Sequence, residues 1–174
     1  DTFFTTTLGW QNVNNAGASV EVRGHRVNVF GVSDAHRDWD RLDVLPGIID
    51  QLGDAATDID GDGHADPEAD PRPLWIGVTH APYRRVLDAF TGAGADIIFG
   101  GHTHGGQVCL PGFGALVANC DIPLKQASGL SSWRRFGHTA ALNVSAGLGH
   151  SIYAPVRFAC PPEATLITLV PRDA

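Results

Sequence analysis

The chain has 174 residues, of which 43% are hydrophobic and 18% charged, and a formal net charge of −7. At this length one domain with a substantial core is the expectation. No apolar run approaches the roughly 18–20 residues of a membrane span, and no basic stripe marks a duplex nucleic-acid surface. The charge excess is local. Asp54, Asp58, Asp60, Asp62, Asp66, Glu68 and Asp70 lie in a stretch without Lys or Arg, and these carboxylates equal the whole excess. A neutral remainder is compatible with an anionic substrate, because bound cations reverse the sign of a pocket locally. Cys109, Cys120 and Cys160 are odd in number and widely spaced. They make neither a disulfide framework nor a C-x-x-C zinc motif, and read as structural free thiols, which fits a reducing compartment.

The first fifteen residues, with Phe3, Phe4, Leu8 and Trp10 among threonines and asparagines, read as an irregular lead-in. Val20 and Val22 alternate with polar residues, Gly24-His25 reads as a two-residue turn, and Val27 and Val29 alternate on the return: a β-hairpin. Asp34 and His36 follow the second strand. They are ligands by type, although a turn with local hydrogen bonds is the simpler reading. Leu45, Ile48, Ile49 and Leu52 predict a short helix near Asp43–Leu52.

An acidic insert at about 54–72 comes next. Asp58, Asp60 and Asp62 alternate, Gly63 stands at position six and Asp66 at position nine, as at the start of an EF-hand-type calcium loop. Position twelve is Ala69 where a bidentate Glu belongs, and Pro67 and Pro71 oppose an exiting helix. A solvated acidic loop is the simpler reading, with calcium at Asp58, Asp60, Asp62 and Asp66 as the alternative.

Leu74–Thr79 reads as an apolar strand leading into His80-Ala81-Pro82. A helix follows with Pro82 near its first turn, Val86, Leu87 and Phe90 buried, and Gly92 and Gly94 ending it. Asp96–Phe99 is the next strand. A strand–helix–strand unit of this kind gives neighbouring parallel strands that end on one edge. His80 then lies beside His102 and His104 of Gly100-Gly101-His102-Thr103-His104-Gly105-Gly106-Gln107. Ligands gather at such carboxyl ends, and imidazole is a common ligand for borderline transition metals. Three converging histidines predict a metal site. Beyond them come a hairpin (Val108–Leu110 with Ala115–Ala118), a helical turn within Pro123–Gly129, strands at Ser132–His138 and Ala140–Ser145, a Gly-rich loop at Gly147–His150 and a closing strand at Ala164–Val170. His138 and His150 are weaker ligand candidates. Trp133, Arg134 and Arg135 read as an edge strand with solvated arginines.

Val78-Thr79-His80-Ala81-Pro82 and the G-H-T-H-G-G-Q loop resemble the last two motifs of the calcineurin-like metallophosphoesterases, in their bacterial branch. Gly31-Val32-Ser33-Asp34-Ala35-His36 is similar to that branch's G-V-D-D-P-H turn. Val144–Gly149, Pro155–Phe158 and Pro162-Glu163 match its closing segment. The resemblance implies an α/β fold, part of a four-layer αββα sandwich with mixed β-sheets. It also implies metal-dependent phosphoester hydrolysis at two divalent ions (Mn, Fe or Zn), with His80 and His102 on one ion and His104 on the other. The implied partner is a phosphorylated small-molecule or lipid-linked substrate.

The family's D-x-H, G-D and G-N-H-D motifs are absent. Asp1 sits where the Asp of G-N-H-D falls, orienting that motif's histidine, so residues 1–174 read as the C-terminal portion of the domain, with the N-terminal half missing. Alone, that portion is expected to be weakly active or inactive. The alternatives are a non-catalytic calcium-binding or interaction domain built on the acidic loop, and a mononuclear zinc hydrolase using the three histidines.

Overall fold

The computed structural model describes residues 3–53 and 72–170. Asp1 and the proposed calcium ligands Asp58, Asp60, Asp62 and Asp66 lie outside them.

The hairpin forms as its alternation dictates. Strand β1 (Ala16–Val22) pairs antiparallel with β2 (His25–Gly31), from Ala16 opposite Gly31 to Val22 opposite His25. Its turn is Arg23-Gly24, one residue earlier than the sequence suggested. Both turn residues have positive φ (54° and 78°), as a tight two-residue turn matched to strand twist requires. His25 opens β2 and is exposed.

After helix α1 (Leu45–Gly53) come β3 (Leu74–Val78), α2 (Arg84–Gly92) and β4 (Ile97–Gly100). A short ribbon, β5 (Cys109–Leu110) with β6 (Gly114–Ala115), precedes the hairpin of β7 (Gly129–Arg135) and β8 (His138–Val144). The main sheet has six strands in the order β1-β2-β3-β4-β8-β7. Its four central strands run parallel, and the two edge strands are antiparallel to their neighbours.

One row of side chains crosses five strands in register: Gly17, Phe30, Gly77, Ile98 and Leu142. Both helices pack on this row. A Cβ on Gly17 would fall 2.6 Å from Leu52 and 2.7 Å from Ile48 of α1, and one on Gly77 would fall 2.5 Å from Phe90 of α2. Glycine is needed at both positions because the helices occupy the space. Phe30 and Phe90 meet edge to face with centroids 4.9 Å apart. Full burial of Phe30, Phe90, Leu87, Ile98 and Leu142 contributes roughly 1.5–3 kcal/mol each before chain entropy is counted. The rows on either side point the other way. In them Val29, Ile76, Val78 and Phe99 are half-buried and Ile97 and Asn143 buried, while Leu130 is 73% exposed. Among the described residues the architecture is therefore mixed α/β, with one large mixed sheet, two helices on one of its faces, and the β5–β6 ribbon.

Several boundaries differ from expectation: β7 and β8 span Gly129–Arg135 and His138–Val144, where Ser132–His138 and Ala140–Ser145 were expected, and the ribbon strands are Cys109–Leu110 and Gly114–Ala115 rather than Val108–Leu110 and Ala115–Ala118. Helix α2 starts at Arg84, beyond Pro82; its first-turn N–H at Arg84 is satisfied by the Asp121 carboxylate at 2.7 Å. Ala164–Val170 forms no strand, and Leu166 is 93% exposed. Its Thr, Ile and Val residues supply strand propensity, but a strand needs a ladder partner, and no described strand pairs with it.

Candidate functional site

Strands β3 and β4 end on the same edge because they are parallel and in register, Val78 opposite Phe99. The ladder continues past both strands. Thr79 N–H donates to the Phe99 carbonyl at 3.0 Å, and Gly101 N–H to the His80 carbonyl at 3.0 Å. This sets His80 beside His102. His102 Nδ1 lies 3.1 Å from His80 Nε2, with the rings edge to face and centroids 4.9 Å apart.

The loop after β4 winds tightly through left-handed backbone at His102 (φ 64°), His104 (51°), Gly105 (66°), Gly106 (86°) and Gln107 (58°). For His and Gln this conformation is strained and needs surrounding support. Three groups supply it. Thr103, buried, donates from Oγ1 to the Ala127 carbonyl at 2.6 Å and accepts the Gly105 N–H. The Gln107 side chain accepts Ser151 N–H at 2.8 Å and donates to the Ala154 carbonyl. The Arg157 guanidinium donates to the carbonyls of His104 (3.1 Å), Ala146 (2.7 Å), Gly147 (3.0 Å) and Gly149 (2.9 Å), tying the histidine loop to the Gly-rich loop after β8.

A fourth imidazole joins the site. His36 stands on a 3-10 turn at Ala35–Arg37, capped by the Asp34 carboxylate accepting the His36 N–H at 3.0 Å. Arg85 of α2 holds this turn through Asp38, Asp40 and the Ala35 carbonyl. The His36 ring is 4.3 Å, centroid to centroid, from that of His102, and its Nδ1 is 3.0 Å from Tyr83 Oη. Sequence reasoning treated Asp34 and His36 as an ordinary turn. The missed signal was topological: β2 is hydrogen-bonded in parallel to β3, so whatever follows β2 reaches the same edge as His80.

Burial, then the neighbouring His36 and His80 imidazoles, push the His102 pKa down to about 4. Burial, then the Arg157 guanidinium and His80, lower that of His104. Near neutral pH both rings are held uncharged, the form in which imidazole offers a lone pair. His102 Nε2 is buried without a hydrogen-bond partner among the described residues.

These features bear on whether a metal fits. Two nitrogens on one tetrahedral ion, with bonds of about 2.0–2.1 Å, stand about 3.3 Å apart, close to the His80–His102 separation. His36, His80 and His102 are linked by pairwise contacts rather than around one centre. Among the described residues no group of three or more His, Cys, Asp or Glu stands in metal-holding geometry. Two imidazole nitrogens at this separation and an orphaned buried nitrogen fit an ion; the existing positions supply an incomplete shell. A cavity of about 280 Å³ beside His80 is lined by Val13, Asn14, Ser33, Asp34 and Trp39.

The other candidates separate cleanly. His138 lies at the opposite edge of the sheet, its Nε2 2.8 Å from the Ala95 carbonyl, outside the site. His150 is in the loop next to His104, where its charge contributes to the lowered His104 pKa. Trp133 and Arg135 engage Asp88 of α2 from the edge strand β7.

No protein-family model matches the chain, and neither does any curated protein or solved structure.

Proposed function

We propose that this chain belongs to a metal-dependent phosphoesterase and supplies the histidine side of its centre, His80 and His102 to one divalent ion and His104 to a second. The observation that carries the reading is the His80–His102 pair, 3.1 Å apart where two parallel strands end, with His102 Nε2 unpartnered among the described residues. A bound Mn, Fe or Zn ion would supply charge for phosphate oxygens and lower the pKa of an attacking water. The protein's part is to hold His102 and His104 unprotonated and to fix their loop through Arg157, Thr103 and Gln107.

The four-layer arrangement goes with this reading. The apolar residues Val29, Ile76, Val78 and Phe99 on the sheet face away from the helices support it, since a largely parallel sheet is stable when both faces are covered. In that arrangement the second sheet and the bridging carboxylate come from outside the described residues.

The test is metal content per chain after purification in manganese and in zinc, with p-nitrophenyl phosphate and its bis-ester as substrates. The expected result is at least one ion per chain, lost in His80→Ala and His102→Ala, and turnover that rises when the remaining ligands are supplied. Metal content equal in wild type and both variants would overturn the reading. One tightly held zinc with carboxylic-ester hydrolysis would favour a mononuclear zinc hydrolase.

A further inference from the structure

Cys109 and Cys160 are far apart in sequence and adjacent in space. A parallel bridge joins Val108 to Phe158, and Cys109 N–H donates to the Phe158 carbonyl at 2.9 Å. The two thiols then meet beneath the histidine loop. Cys109 Sγ donates to the Gly105 carbonyl at 3.3 Å, and Cys160 Sγ lies 3.4 Å from the same oxygen and 3.2 Å from the His104 carbonyl. The two sulfurs thus share one acceptor, the Gly105 carbonyl oxygen. Both are free and buried. Gly105 has no side chain to separate them from the loop: a Cβ there would sit 2.8 Å from Cys160 Sγ. Both cysteines line a cavity of about 540 Å³ together with Lys125, Ser128 and Glu163, the route a small reagent would take.

We propose that Cys109 and Cys160 are a disulfide-forming pair, oxidised by small disulfides of the glutathione type. Each protein thiol gives up one hydrogen. One thiolate attacks a sulfur of the oxidant and releases one small thiol; the other thiolate then attacks the mixed disulfide and releases the second. Two protein thiols are oxidised, one oxidant disulfide is reduced, and a single S–S bond forms. Formation removes both S–H donors from the Gly105 and His104 carbonyls, so the oxidation state of the pair is coupled to the hydrogen bonding of the loop that carries His104. Cys120, by contrast, is half-buried near Tyr83 and Asp121 and belongs to neither contact. The inference does not depend on the phosphoesterase reading.

The experiment is to oxidise the purified chain with glutathione disulfide, denature it, count free thiols and map cross-linked peptides by mass spectrometry. The expected result is a monomer with one remaining thiol, at Cys120, and a Cys109–Cys160 linked peptide that dithiothreitol releases. Cys120→Ser should then lose all free thiols on oxidation, whereas Cys109→Ser and Cys160→Ser should form no internal link. Three thiols remaining, a link through Cys120, or stable glutathione adducts on Cys109 or Cys160 would overturn the proposal; the wild-type map decides even if a variant fails to fold.

Discussion

His102 Nδ1 stands 3.1 Å from His80 Nε2 because the ladder between two parallel strands runs one step past both of them. Closeness and burial together push the His102 pKa to about 4, against an ordinary 6.5. Between those values the unfolded chain binds a proton that the folded chain refuses, so stability falls as pH drops through this window and rises as pH increases. With chelator present, the urea midpoint should therefore drop from pH 6.5 to pH 4, and His102→Gln should make the drop shallower. Acidic groups contribute to both proteins, so the difference between them is the readout. Equal slopes would show that His102 is not held neutral.

Arg157 gathers six loop carbonyls, those of His104, Ala146, Gly147, Gly149, Cys160 and Pro161, around one guanidinium. Charged hydrogen bonds contribute roughly 1.5–3 kcal/mol each in favourable settings, though here they act as one unit. Arg157→Ala should destabilise the chain by about 3 kcal/mol in urea melts and weaken metal binding. Arg157→Lys should recover less than half, since an ammonium cannot present a planar fork to several acceptors. A lysine variant as stable as wild type would show that charge alone suffices.

Much of this was legible beforehand, and the failures have a common cause. The hairpin, the helix carrying Val86, Leu87 and Phe90, and the parallel neighbours β3 and β4 all follow from local period and turn chemistry. His80 and His102 met because the topology of one strand–helix–strand unit is predictable. His36 was undervalued because its place depends on β2 pairing with β3 across the long acidic segment, a non-local contact that no local pattern encodes. The Cys109–Cys160 contact was missed likewise, since wide spacing argues against pairing only until a Val108–Phe158 bridge closes the gap. The Ala164–Val170 expectation failed in reverse: the strand-forming residues were there, and among the described residues no strand pairs with them.

Gly106 and Gly101 should respond oppositely to alanine, although both belong to the histidine loop. Gly106 has φ of 86°, and a Cβ there would fall 2.4 Å from Ala115 Cβ and 2.8 Å from the Val117 carbonyl. Gly106→Ala should cost about 2–4 kcal/mol from strain and overlap together. At Gly101 the nearest atom to a new Cβ is the His80 carbonyl oxygen at 3.6 Å, an ordinary contact. Gly101→Ala should change stability by less than about 0.5 kcal/mol. Similar losses at both would show that the loop tightens around Gly101 more than its geometry indicates.

Asn28 tests the core. It is fully buried on β2, and neither its Nδ2 nor its Oδ1 has a partner among the described residues. It neighbours Phe30 and pairs across the sheet with Trp75. A buried amide without hydrogen bonds costs about 1–3 kcal/mol by mutational measures. Leucine has nearly the same shape without the polar atoms. Asn28→Leu should therefore raise stability by about 1–3 kcal/mol in urea, with the site unaltered because Asn28 lies mid-strand, away from the edge where His36 and His80 gather. A loss of stability would mean that the amide is satisfied by a group outside the described residues, and would direct attention to what packs over β2.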